Sequence, residues 1–121
     1  MQPLPFTKPT FGEGKVIRQQ GGMHRYGHVV LIVEPIADKC FSFSWEVAED
    51  EVPRIYEQSV HEGISSLFGV GGKYENFNPL GMRVRVVGGS CHETDSNEIS
   101  FTLAGAMAFS TAIKSAEAPD A

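Results

Sequence analysis

The 121-residue sequence predicts an α+β fold, a two-layer sandwich in the order β-β-β-α-β-α with both helices on one face of one sheet. Three observations carry this. Phe41, Phe43, Trp45 and Val47 alternate with Ser42, Ser44 and Glu46, the period-two pattern of a strand with one face in the core and the other in water. From Val52 the apolar period lengthens to three and four, as in an amphipathic helix. A second alternating run, Met82, Val84 and Val86 against Arg83 and Arg85, leads through a polar loop into an apolar, alanine-rich stretch of helical length.

In chain order, residues 1–11 read as an extended or frayed lead-in, because Pro3, Pro5 and Pro9 forbid a helix there. Residues 14–20 form the first strand, with Val16 and Arg18 expected outward and Ile17 inward. Residues 21–28 are a glycine-bearing loop between strands. Residues 29–33, wholly apolar, are a central strand expected to be buried on both faces, and Pro35 ends it.

The first helix carries Val52, Ile55, Tyr56, Val60, Ile64, Leu67 and Phe68 on one side, with Pro53 in its first turn. Gly63 inside that helix costs about 1 kcal/mol relative to alanine, so a close approach of neighbouring backbone is expected at Gly63 and Gly105. Residues 69–81 form a loop and 82–87 the fourth strand. Asp95 and Glu98 are spaced as a capping box for a last helix at 96–116. That helix is apolar nearly all round, which predicts that it is largely buried. Residues 117–121 read as a flexible tail, and Met1 and the polar end as natural termini.

Length and composition fit a single domain over residues 1–121, large enough to bury a core. The N-terminus lacks the apolar segment of a signal peptide, and no apolar run is long enough to span a membrane. Two cysteines, Cys40 and Cys91, are too few for a disulfide framework, so a cytoplasmic protein with reduced thiols is expected. The net charge of −5 argues against nonspecific binding to phosphate backbones. The charge is uneven, however. Lys8, Lys15, Arg18 and Arg25 meet only Glu13, whereas Glu46, Glu49, Asp50, Glu51, Glu57 and Glu62 meet only Arg54.

Loops held by rigid elements concentrate function, and two stand out: residues 21–28 and residues 88–98. Placed at the same end of the sheet, they present Met23, His24, Arg25, Tyr26 and His28 beside Cys91, His92 and Glu93.

Thr7-Lys8-Pro9, Glu13-Gly14-Lys15, Ile17-Arg18-Gln19, Gly21-Gly22, Tyr26-Gly27-His28-Val29 and Glu34-Pro35 resemble the opening of domain IV of bacterial elongation factor G. Gly89-Ser90, His92-Glu93, Asp95-Ser96, Glu98, Ala104-Gly105 and Met107-Ala108 resemble its second signature, in the family's order and near its spacing. The resemblance implies a ribosomal-protein-like β-β-β-α-β-α fold with a left-handed crossover. It also implies that the two loop tips reach the decoding centre of the small ribosomal subunit and touch paired codon and anticodon. On this reading residues 21–28 and 90–95 are the tips, with His92 leading, and Met23, His24, Arg25, Tyr26, His28, Cys91, His92 and Glu93 are the contacts with ribosome or structured RNA.

The departures are Met23-His24-Arg25 in place of an arginine, a glycine and a glutamine, Cys91 in place of a tyrosine, and Glu49-Asp50 in place of a glycine pair. No Gly-x-x-x-x-Gly-Lys-Ser/Thr loop is present, so the expected protein is a non-catalytic, free-standing module without a GTPase domain, with neither cofactor nor metal. Three other readings stand beside it. One is a protein-interaction module derived from that domain. The second is a thiol enzyme using Cys91 with His24 or His28 and Asp95. The third is a zinc site, against which the absence of paired ligand spacings argues.

Overall fold

The computed structural model describes residues 2–3, 7–20 and 23–117, the side chains at 2–3, 19–20, 23–24 and 117 excepted. The elements are β1 (Gln2–Pro3), β2 (Thr10–Gln20), β3 (Met23–Pro35), β4 (Phe41–Trp45), α1 (Glu57–Ser66), β5 (Phe77–Asn78), β6 (Met82–Ser90) and α2 (Glu98–Glu117). A 3-10 turn, Arg54–Tyr56, leads into α1.

The main sheet has the order β2-β3-β6-β4. β2–β3 and β3–β6 are antiparallel, and β4 runs parallel to β6. A parallel pair needs a crossover, and α1 lies within it. The expected β-β-β-α-β-α order therefore holds for the sheet and its helices, and a two-residue parallel pair, β1–β5, is added to it. Side chains from β3, β6 and both helices fill one core, with Leu31, Ile64, Val84, Val86, Phe101 and Phe109 fully buried.

The phase of β2 is the reverse of the expectation. Gly12 and Gly14 are buried and Val16 packs on the core, whereas Phe11 and Ile17 are 58% and 55% exposed. The inward face consists of glycines because α2 lies directly on it. A Cβ at Gly12 would overlap the Ala108 carbonyl oxygen, and one at Gly14 the Ala104 carbonyl oxygen. β3 is also buried on one face only: Val29, Leu31 and Val33 are sealed, while Val30 and Ile32 lie half-buried on the outer face. The helices cover a single side of the sheet, so an apolar outer residue need not be a core residue.

The two interior glycines do what their cost implies. A Cβ at Gly63 would overlap the Thr102 carbonyl oxygen, and one at Gly105 would lie 2.9 Å from the Val60 carbonyl oxygen. α1 and α2 therefore cross backbone to backbone. α2 is less buried than its composition implies. Ile99, Leu103 and Met107, four residues apart, form an exposed stripe along it. Its start also differs: the Ser100 N–H donates to Asn97 Oδ1 at 2.8 Å, so Asn97 is the cap in place of the Asp95–Glu98 box.

Candidate functional site

A register slip builds the site. β3 and β6 pair Leu31 with Val86 and Val30 with Gly88, leaving Val87 as the extra residue of a β-bulge. Before the bulge Val84 and Val86 face the core. After it the phase is inverted, so Ser90 lies on the outer face opposite its partner His28. Gly89 takes the inner position at φ +152°, where a Cβ would overlap the His28 carbonyl oxygen and lie 2.8 Å from Val52 Cγ2.

β6 stops pairing at Ser90, but β2 and β3 continue past it, from Val16–Gly27 to Gln20–Met23, as a two-stranded ribbon. The expected loop at residues 21–28 is therefore mostly strand. Only Gly21 and Gly22, which lie outside the described residues, separate the paired Gln20 and Met23. Loop 91–97 folds back against this ribbon. The Tyr26 N–H donates to the Asp95 carbonyl at 3.1 Å, and the Ser96 hydroxyl donates to the Tyr26 carbonyl at 2.8 Å. The two segments meet at one end of the sheet.

On the outer face a hydrogen-bonded chain joins β2, β3 and the end of β6. Tyr26 Oη lies 2.7 Å from Ser90 Oγ, Ser90 Oγ lies 2.9 Å from His28 Nδ1, and His28 Nε2 bonds to Glu13 Oε2. With a neutral imidazole one proton arrangement serves every group: the tyrosine hydroxyl donates to serine, the serine hydroxyl to Nδ1, and Nε2–H to the carboxylate. Sequence reasoning misses Glu13, Ser90 and Ser96 as site residues. For Glu13 the signal is parity along its strand, for Ser90 the bulge hides that parity, and Ser96 lies in a loop where no parity applies. A hydroxyl, an imidazole and a carboxylate in line are the parts of a nucleophile relay. Here Tyr26 also bonds to the serine oxygen, and the chain joins three strands.

His92 sits at the head of a closed turn. Its N–H donates to Ser96 Oγ at 2.8 Å, its carbonyl accepts the Ser96 N–H at 3.0 Å, and its Nδ1 accepts the Asp95 N–H at 3.3 Å. The Asp95 carboxylate is 3.6 Å from the same nitrogen. With Nδ1 accepting, the neutral ring carries its proton on Nε2. Half of the side chain is exposed, and its ring centroid is 6.0 Å from that of Tyr26. Lys15 Nζ lies 5.9 Å from the Tyr26 ring centroid. Beneath the turn, the Tyr56 hydroxyl donates to the Ser96 carbonyl at 3.4 Å. Burial raises the Tyr56 pKa, with Cys91 and Glu98 adding to the rise, so the phenol stays protonated and remains a donor.

The other expected site residues divide. Arg25 pairs with Arg18 across the ribbon, Glu93 is exposed, and Tyr26 and His28 are half-buried. Cys91 turns inward and packs on the core. Met23 and His24 open β3, and their side chains lie outside the described residues. Among the described residues no three His, Cys, Asp or Glu side chains gather as a metal cluster. No described helix is long and apolar enough to cross a membrane.

The family model for domain IV of elongation factor G matches residues 5–117. The chain belongs to that family. The elongation factor G of Petrotoga mobilis is 39% identical over 112 residues, covering 90% of this chain and 16% of the relative. That of Aquifex pyrophilus is 36% identical over 111 residues, covering 91% and 16%. A crystal structure of a protein from Thermus thermophilus superposes with a TM-score of 0.75 at 32% identity, covering 91% of this chain and 16% of that one. The chain thus spans about a sixth of the length of these elongation factor G relatives, and the α+β architecture is that of the domain IV fold.

Proposed function

We propose that this domain IV module binds the ribosome or structured RNA without catalysing a reaction, through the pole formed by the β2–β3 ribbon and the turn at His92. The observation that carries the reading is the presentation of His92. Its ring is half exposed at the head of a turn closed by two hydrogen bonds between His92 and Ser96, one of them main chain to main chain. A ring held in advance loses little freedom on stacking against an unpaired base, and Nε2–H remains to donate to a base edge.

The ribbon adds charge. Arg18 and Arg25 are direct cross-strand partners, and neither forms an ion pair among the described residues. Like charges in direct opposition destabilise a strand pair. A phosphate bridging the two guanidiniums removes that penalty on binding. Translation is the setting that the family name supplies, and the cytoplasm the compartment.

Co-sedimentation with small ribosomal subunits at about 50 and about 200 mM salt tests this. The expected result is binding at the lower salt that weakens at the higher. Arg25→Ala should flatten the salt dependence, and His92→Ala should lose about 1–3 kcal/mol of affinity. Absence from the subunit fraction at the lower salt overturns the proposal.

A further inference from the structure

The acidic run and the β4 edge take no part in that pole. β4 is a terminal strand of the sheet. The Glu46 N–H donates to the Val86 carbonyl, so in a parallel ladder Ser42, Ser44 and Glu46 direct their main-chain groups at β6. Phe41, Phe43 and Trp45 direct theirs away from the sheet. The edge sequence Phe-Ser-Phe-Ser-Trp has no proline, charge or bulge, the usual devices that discourage strand addition.

Two hollows lie on the helix side of this edge. One, of about 490 Å³, is lined by Phe43, Arg54, Ile55, Glu57, Gln58 and His61. The other, of about 200 Å³, is lined by Phe41, Ser65, Phe68 and Pro79. The wall residues Phe43 and Phe41 are two apart, the side-chain repeat of a strand. Ile55 is 72% exposed at the mouth of the first hollow, and the His61 ring meets Phe43 edge-on at 4.9 Å between centroids. A strand added at β4 would bond to the main chain of Phe41, Phe43 and Trp45, and its residues opposite Phe41 and Phe43 would point into the two hollows.

The rim specifies charge. Glu49 accepts the Arg54 N–H beside the first hollow, and Glu62 accepts from the Gln58 amide. Glu57 lines the hollow and pairs with Arg54, and among the described residues Glu49 and Glu62 form no ion pair. A second copy of the chain would bring two acidic rims together, so self-pairing is disfavoured.

We propose that the β4 edge binds an extended peptide segment of a partner protein, with two apolar side chains two positions apart and basic residues flanking them, by strand addition. The probe is the peptide acetyl-Lys-Ile-Thr-Ile-Lys-amide, titrated into the 121-residue chain and followed by amide NMR shifts. The expected result is saturable shifts at Phe41, Phe43 and Trp45. Ile55→Lys, an exposed change that leaves the core intact, should weaken binding by roughly tenfold. The same peptide N-methylated at its three central amides should not bind. Three outcomes overturn the proposal: no shift at these amides up to about 1 mM peptide, equal binding of the N-methylated peptide, or shifts confined to Tyr26 and His92. Dimerisation of the free chain through the same amides overturns it as well.

Discussion

α2 meets the sheet and α1 meets α2 by the same device, yet the β6–β4 half of the molecule is packed differently. Under α2, β2 offers Gly12 and Gly14 and β3 offers Gly27, whose Cβ would lie 2.7 Å from the Ser100 carbonyl oxygen. Backbone rests on backbone there, with no side chain between. Beside it, Val84 and Val86 of β6, Val60 and Ile64 of α1, and Phe101 and Phe109 of α2 interdigitate as a conventional core. A side-chain core can relax by changing rotamers, whereas a backbone seam has nothing that can rotate out of the way. The two halves should therefore differ in how much a change of one carbon atom costs.

The largest effect is expected from adding that carbon to the seam. Gly14→Ala places a methyl group against the Ala104 carbonyl oxygen and should cost about 3 kcal/mol, the upper end of overpacking penalties, in urea unfolding. A neutral or stabilising result, which the lower entropy of the unfolded chain alone would give, would break the contrast. Removing a carbon from the packed half is milder. Ile64→Val, at a fully buried site, should cost about 0.5–1.5 kcal/mol in the same experiment.

The outer face, which neither helix covers, gives the smallest effect. Hydrogen bonds from Arg85 and then Ser44 hold the Glu46 pKa at about 2, below its ordinary value of 4.5. A carboxylate lowered on folding stabilises the fold above about pH 4.5, and that contribution is lost as pH falls towards about 2. Because the group is exposed and screened, Glu46→Gln should cost less than about 1 kcal/mol near neutral pH. In acid unfolding curves the variant and the parent protein should converge near pH 2. A larger loss at neutral pH would mean that the uncovered face carries more of the fold than its exposure implies.

The same contrast explains what can be read from residues alone. Where large side chains form the core, period and polarity point correctly to β4, α1 and β6, while the close approach at Gly63 and Gly105 is read from the cost of glycine inside a helix and is found between the two helices. Where glycines form it, hydrophobicity carries no phase. Ile17 therefore reads as inward although it faces solvent, and Gly21–His28 reads as a loop although Met23–His28 is strand. At the pole, the element order allows the two segments to meet, and the family resemblance implies both that meeting and an outward His92. The Glu13–His28–Ser90–Tyr26 chain follows from neither, because it depends on an unpaired Val87 that no local pattern marks.

That unpaired residue turns the pole into a matter of counting. Deleting one residue between Val86 and Ser90 would leave hydropathy and composition nearly unchanged, yet it would rotate the serine to the opposite side of its strand and leave the imidazole of His28 without its neighbour. The length of this short segment, more than its chemistry, decides whether the end of β6 is fastened to the two strands beside it.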